Sequence, residues 1–156
     1  NLPASLLTLN CSSNNLSQLD RLPPNLINLC CTSNEGINNL DNLPPNLQKL
    51  ICNDCNLKVL DNLPANLNEL ECNHNLIIQL DNLPSNLEYL DCNKNMIHSL
   101  DNLPQTLKIL YCDNNNITTL DNLPHGLLEL YCSNNPLQYD FEPTLANIRN
   151  YITSIG

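Results

Sequence analysis

Cysteine is the residue type most capable of chemistry in this chain of 156 residues, which contains nine cysteines. Seven recur every 20 or 21 residues, at Cys11, Cys31, Cys52, Cys72, Cys92, Cys112 and Cys132. The other two are Cys30 and Cys55, and Cys52-x-x-Cys55 matches half of a redox or zinc motif. No second pair and no ligand histidine completes a zinc site. The cysteines therefore predict no metal site.

Histidines and carboxylates offer acid–base chemistry, but their spacing does not bring them together. His74, His98 and His125 stand at three different places in the period, whereas catalysis requires a base within hydrogen-bond reach of its partner. Glu69 and Glu71 can share one face of a strand, yet acid–base work also requires a pocket with contrasting environments. With only three glycines, the chain has no glycine-rich phosphate-binding loop. The sequence predicts no enzyme and no cofactor.

The charge balance restricts the partners. Six basic against sixteen acidic residues give a formal net charge of -10, which opposes binding to nucleic acid or to an anionic membrane and favours a basic protein. No apolar run approaches the roughly 18 residues that span a bilayer, and no signal-peptide pattern opens the chain. Because it begins at Asn1 without a Met, we expect that a leader or further domains could lie upstream.

A repeat of about 20 residues must position these side chains. Seven units open with Leu-Pro, at residues 2, 22, 43, 63, 83, 103 and 123. Their shared pattern is L-P-x-x-L-x-x-L-x-C-x-x-N-x-[LI]-x-x-L-D-N, as in residues 83–102. One unit cannot bury its five or six aliphatic residues alone, but stacked units can. The period therefore predicts a solenoid with an aliphatic core.

Each unit contains one predicted strand, in its L-x-x-L-x-C segment. Strands of successive units pair in parallel about 4.8 Å apart, with the repeated cysteines directed inward. In-register side chains hold their Cβ atoms too far apart for the usual ~3.5–4.5 Å of a disulfide, so we expect reduced, buried thiols. Cys30 points outward and is predicted to be the most reactive thiol. An asparagine three residues after the repeated cysteine lies where the chain turns inward and can satisfy buried backbone groups. These residues are Asn14, Asn34, Asn75, Asn95, Asn115 and Asn135, and Cys55 replaces the asparagine in the third unit.

Turn-forming residues predict the backbone conformation on the outer side of the solenoid. Leu-Pro pairs and poor helix formers predict extended, polyproline II or short 3-10 segments there. One aspartate per unit is predicted to accept backbone N–H bonds in the D-N-L-P turn, with cation binding as the alternative; these are Asp20, Asp41, Asp61, Asp81, Asp101 and Asp121.

An extra residue in Glu35-Gly36-Ile37 predicts a local bulge. The repeats occupy residues 1–137, and residues 138–156 form a helical cap that begins behind Thr144.

The embedded L-x-x-L-x-C-x-x-N-x-[LI] pattern, for example at Leu87, Leu90, Cys92, Asn95 and Ile97, resembles the leucine-rich repeat. Its Leu-Pro-x-x-Leu opening and 20-residue length are similar to the short repeats of enterobacterial effectors and of related bacterial and giant-virus proteins. The resemblance implies a horseshoe whose curved parallel sheet lies on the concave side, where members of this family bind proteins.

The outward positions of the sheet vary from unit to unit and supply the predicted site. Tyrosine on a rigid sheet is a typical interface anchor, and carboxylates select basic partners. In the later units these positions place together Glu69, Glu71, Tyr89, Asp91, Ile109, Tyr111, Asp113, Glu129 and Tyr131. The tyrosines are predicted to anchor a basic protein partner. The alternative is that they only cover the strands of the sheet and bind nothing.

The predicted function is a non-enzymatic protein-binding module of the cytoplasm or a host-cell cytosol, where cysteines stay reduced; an upstream targeting segment would change that location. One alternative is the recognition part of a larger enzyme, such as an effector-type ubiquitin ligase. Another is a scaffold that self-associates through its uncapped N-terminal end.

Overall fold

The computed structural model describes residues 2–155 and contains one sheet and one helix. The strands are β1 (Thr8–Asn10), β2 (Asn28–Cys30), β3 (Lys49–Ile51), β4 (Glu69–Glu71), β5 (Tyr89–Asp91), β6 (Ile109–Tyr111) and β7 (Glu129–Tyr131), and the helix is α1 (Leu145–Ile155). The terminal residues 1 and 156 of the predicted ranges 1–137 and 138–156 lie outside the described residues.

The sheet is parallel, and its strands follow one another in chain order. Each three-residue strand pairs in register with the next, so that Leu70 faces Leu90 and Leu90 faces Leu110. The central leucine points inward and the two flanking residues point outward because side chains alternate along a strand. This arrangement confirms the predicted solenoid.

The core is a stack of nearly identical layers. In the fourth unit, the inward side chains of Leu67, Leu70, Cys72, Ile77 and Leu80 are all at most 3% exposed. Burial of an aliphatic side chain of this size contributes about 1.5–3 kcal/mol. The same layers recur in the neighbouring units, and one continuous core therefore runs through the solenoid.

The outer side consists of turns and extended chain. After each Leu-Pro, the backbone N–H of the leucine three residues beyond the proline donates to the proline carbonyl, as in Leu67 to Pro64 at 3.0 Å. The asparagine of the D-N pair has a positive φ of 60–63° in Asn42, Asn62 and Asn82. Asparagine tolerates this left-handed backbone better than most residues, which explains its place in the repeat.

The aspartates of these turns have partners other than those predicted. The expectation of backbone N–H donors is wrong, because the carboxylates accept hydrogen bonds from side chains. Asn102 donates to Asp81 at 2.8 Å, and Asn122 donates to Asp101 at 2.7 Å, in each case from the following unit. Asp41, Asp81 and Asp101 thereby join neighbouring turns through side-chain hydrogen bonds.

The irregular second unit and Cys55 belong to one structural adjustment. The predicted bulge is a turn at Glu35-Gly36, in which the N–H of Ile37 donates to the Asn34 carbonyl at 3.0 Å. In a regular unit that N–H donates to the asparagine of the following unit, as Ile77 does to Asn95. Because Ile37 is satisfied locally, the position of Cys55 does not require an amide. A Cβ at Gly36 would lie 2.7 Å from the Leu16 carbonyl oxygen, so the turn requires glycine.

A helical cap covers the last unit, as predicted. The Thr144 hydroxyl accepts the N–H of Asn147 at 3.2 Å, which is the geometry of an N-cap. Ile148 is fully buried, whereas Ile155 is 62% exposed. The Tyr139 hydroxyl accepts the Leu120 N–H at 2.6 Å and donates to Asp121 at 2.7 Å, which ties the cap to the last complete turn. No helix within residues 2–155 is long and apolar enough to cross a membrane.

Candidate functional site

The strongest candidate is the outward surface of strands β4 to β7, which we call the acidic-aromatic face. It comprises the predicted residues Glu69, Glu71, Tyr89, Asp91, Ile109, Tyr111, Asp113, Glu129 and Tyr131. The strands place all but one of them in two parallel rows, with Asp113 two residues beyond Tyr111. Most are half-buried, and Glu129 and Tyr131 are exposed.

The three tyrosines form one continuous aromatic surface. The rings of Tyr111 and Tyr131 are stacked with centroids 4.4 Å apart and planes within 2°. Tyr89 lies 5.8 Å from Tyr111 at an interplanar angle of 46°. The register explains the stack, because β6 pairs Tyr111 directly with Tyr131 of β7. Such pairs contribute about 0.5–1.5 kcal/mol beyond their burial, so the rings are preorganised.

The electrostatic potential at the tyrosines is negative. Burial, and then the carboxylates of Asp91 and Glu71, raise the pKa of Tyr89 to about 12. Desolvation, followed by the neighbouring Tyr131 and Glu129, also raises the pKa of Tyr111. The phenols of Tyr89 and Tyr111 therefore stay neutral at physiological pH beside a cluster of carboxyl groups, and the surface favours a cation.

A lysine that was absent from the predicted site neutralises part of this face. Lys49 of β3 lies 2.7 Å from a carboxylate oxygen of Glu69 and 3.6 Å from one of Glu71. These contacts, the Glu69 hydrogen bond first, raise the pKa of Lys49. The signal was present in the sequence, since Lys49 occupies the same outward row as Glu69 one unit earlier. Glu69 is the better paired of the two glutamates.

A second amide ladder, which sequence reasoning missed, runs along the end of the strands. From the third to the sixth unit, the outward residue after the cysteine accepts a backbone N–H of the next unit, as Asn73 does from Asn93 at 3.0 Å and Asn93 from Asp113 at 2.6 Å. Asp113 likewise accepts the Ser133 N–H at 2.5 Å. The Asp113 carboxylate thus has a structural partner as well as its predicted place on the face.

The predicted asparagine ladder is confirmed in the interior. The Asn95 amide donates to the carbonyls of Cys72 and Cys92, each at 3.0 Å, and its oxygen accepts the Ile77 N–H at 3.0 Å. The other members bond in the same way, while Asn14 in the first unit is exposed and bonds only to carbonyls of its own unit. The ladder fixes the spacing of the strands that carry the face.

Six of the seven column thiols are buried, as predicted, while Cys11 in the first unit is half-buried; all nine cysteines are free. Most column thiols donate to a carbonyl of the next strand, for example Cys92 to Tyr111 at 3.3 Å. Burial, then the neighbouring thiols, raises the pKa of Cys52, Cys72, Cys92 and Cys112 well above its ordinary value. Cys55 donates to the carbonyls of Cys31 and Asn53. The thiols of Cys52, Cys72, Cys92 and Cys112 therefore serve as small core residues in their protonated form.

Other predicted features lie away from the face. Cys30 is half-buried with its sulfur 3.0 Å from the Ser12 hydroxyl, and its reactivity stays a prediction. His74 contacts Asp54 on the adjacent turn. Within residues 2–155, no group of three metal-ligating side chains is close enough to hold an ion. At the N-terminal end Leu2 and Leu7 are about half exposed, and self-association there stays a prediction.

Comparison with known proteins agrees with this architecture. A family model described as leucine-rich repeats in two copies matches residues 85–125. YopM from Yersinia enterocolitica is 41% identical with a TM-score of 0.81, over 93% of this chain and 33% of that chain. A leucine-rich repeat domain of a Shigella effector is 31% identical with a TM-score of 0.74, over 99% of this chain and 69% of that domain.

The functional domain of InlJ from Listeria monocytogenes, which includes a cysteine ladder, is 37% identical with a TM-score of 0.75, over 88% of this chain and 32% of that chain. This chain therefore spans about a third of YopM and of the InlJ structure. No curated protein sequence matches it significantly. The repeat, the fold and the Shigella match together establish that the chain belongs to the leucine-rich repeat family, in its bacterial type.

Proposed function

We propose that this chain is a non-enzymatic module that holds a basic protein partner on its acidic-aromatic face. Leucine-rich repeat proteins generally bind other proteins, and the choice of face rests on one observation. The stacked pair Tyr111 and Tyr131 lies half-exposed among carboxylates on a surface whose residues differ from unit to unit, above a core whose residues do not. Rigid aromatic side chains provide contact area at low entropic cost, and the carboxylates select and steer the partner.

Affinity capture from a host-cell lysate tests the proposal, with a variant in which Tyr89, Tyr111 and Tyr131 are all replaced by alanine. The matched control replaces three exposed side chains of the outer side, Lys58, His98 and Thr118. We expect the tyrosine variant to lose the partner and the control to retain it, with both folds verified by circular dichroism. Retention by the tyrosine variant, or equal loss from both, contradicts the proposal.

Site-specific photo-crosslinking locates the contact independently of affinity. A benzophenone amino acid at Ile109, in the middle of the acidic-aromatic face, is expected to crosslink the captured partner. The same group at Thr118 on the outer side is expected not to do so. Crosslinking from Thr118 alone would assign binding to the outer side instead.

A further inference from the structure

The parallel stack of tyrosine rings on the acidic-aromatic face ends at Tyr111. The centroid distance of 4.4 Å between Tyr111 and Tyr131 is close to the ~4.8 Å spacing of strands, and the ring planes are parallel. The stacking axis therefore runs across the strands. One face of the Tyr111 ring is covered by Tyr131, and the opposite face is directed towards β5, where Asp91 is its partner in register.

The short side chain of Asp91 cannot stack on that ring. Tyr89, on the same strand, borders this place with its ring centroid 5.8 Å from that of Tyr111 and inclined by 46°, so it makes a tilted contact and does not form a parallel layer. The row continues beyond Asp91 with Glu71. A place between Tyr111 and Glu71, above Asp91 and beside Tyr89, thus lacks a stacked neighbour.

Two carboxylates, those of Asp91 and Glu71, border this place. Asp91 accepts the Asn73 amide at 2.8 Å and the Asn93 backbone N–H at 3.3 Å, which fixes its orientation. Each of its oxygens retains capacity for another donor. Glu71 lies farther from Lys49 than Glu69 does, at 3.6 Å against 2.7 Å, so it is the more weakly paired of the two glutamates. The outward positions of β5 to β7 contain no basic residue.

We propose that this place, between Tyr111, Tyr89, Asp91 and Glu71, binds the guanidinium group of an arginine in the protein partner. The inference rests on the proposed function and names the side chain that the face recognises. A guanidinium is planar, stacks on aromatic faces and donates two parallel hydrogen bonds to a carboxylate. It would extend the stack of Tyr131 and Tyr111 by one layer while Asp91 and Glu71 neutralise its charge. A lysine ammonium has the charge without the plane.

Nuclear magnetic resonance of protein labelled with carbon-13 at the tyrosine rings tests the inference directly. The probes are three blocked pentapeptides, Gly-Ser-X-Ser-Gly, in which X is arginine, lysine or citrulline, the neutral isostere of arginine. We expect the arginine peptide to bind with millimolar Kd, about threefold more tightly than lysine and about tenfold more tightly than citrulline. The Tyr111 and Tyr89 resonances should shift most.

Variants of the face and one matched control complete the experiment. Asp91→Asn and Tyr111→Leu are each expected to weaken the arginine peptide about fivefold or more, whereas Tyr111→Phe retains the ring and the affinity. Glu35→Gln removes an exposed carboxylate elsewhere and should leave the affinity unchanged.

Three results would overturn the inference. They are equal binding of arginine and citrulline, absence of Tyr111 shifts at millimolar arginine peptide, and equal weakening by Glu35→Gln and Asp91→Asn. None of them affects the proposed function, which fails separately if the captured partner survives replacement of all three tyrosines.

Discussion

The inward and outward positions of the same strands follow opposite rules. Asn95 and the cysteine column satisfy backbone groups and fill the core identically in every regular unit. The outward rows change from lysine to glutamate, tyrosine and isoleucine within four strands, while the register stays the same. The difference shows that stacking dictates the interior and leaves the exterior free to vary. A substitution inside should therefore cost stability, and one outside should change binding.

The largest expected effect concerns the seven thiols of the cysteine column in alkaline solution. Their pKa is raised in the folded protein, to about 11 for Cys132, where burial acts first and Asp113 second. In the unfolded chain cysteine titrates near a pKa of ~8.5, so above that pH the unfolded state holds fewer protons than the folded state. The free energy of unfolding then falls as pH rises, by about 1.4 kcal/mol per pH unit for each such thiol.

Urea unfolding followed by circular dichroism under reducing conditions measures this dependence. We expect constant stability up to about pH 8 and a steep decline above about pH 9. Replacing Cys72 and Cys92 with valine should make the decline shallower, whatever its effect at neutral pH. Identical slopes for the two proteins would show that the column does not control alkaline stability.

The second effect compares two asparagines of one unit. Asn95→Ala leaves the Ile77 N–H and the Cys72 and Cys92 carbonyls buried without this partner, and should cost about 3 kcal/mol of unfolding free energy. Asn93→Ala, two residues away on the outward side, frees only the half-exposed Asp113 N–H and should cost about 1 kcal/mol.

Thermal and urea unfolding of both variants measures the contrast, with Asn86→Ala as control. Asn86 makes one exposed bond to the Ala65 carbonyl, and its loss should cost about 0.5 kcal/mol or less. Equal costs for Asn95 and Asn93 would break the distinction between inside and outside.

How far the sequence predicts this molecule follows the same distinction. The strands, the cysteine column and the asparagine ladder could be predicted because stacking requires the same residue at the same place in each unit. The outward bonds could not be, since asparagine fills both inward and outward positions and the donor to Asp81 comes from Asn102, a full unit later. The repeat places Lys49 and Glu69 in one outward row, but their 2.7 Å contact depends on side-chain orientation, which the repeat pattern does not encode.

A third, smaller effect tests whether the irregular units two and three are coupled. Deleting Gly36 should restore the regular path and leave the Ile37 N–H needing an amide oxygen from position 55. Cys55→Asn supplies that oxygen. In the otherwise unchanged protein, however, the Ile37 N–H already donates to the Asn34 carbonyl, so the new amide oxygen is buried without a donor. We expect each single change to destabilise and the double change to recover about 2 kcal/mol relative to their sum. A double-mutant cycle by urea unfolding measures this coupling, and purely additive costs would contradict it.

The smallest effect concerns the turn at Lys94, where the chain leaves strand β5. Lys94 has a positive φ of 53°, a conformation that disfavours residues with a Cβ by about 1–2 kcal/mol. Lys94→Gly removes that strain at some cost in unfolded-state entropy, so we expect a gain of about 0.5–1 kcal/mol in unfolding free energy. Lys58→Gly, at an exposed lysine outside the positive-φ positions, should instead destabilise. Because the two variants lose the same charge and differ in backbone conformation, opposite signs in urea unfolding would isolate the strain, and equal signs would contradict it.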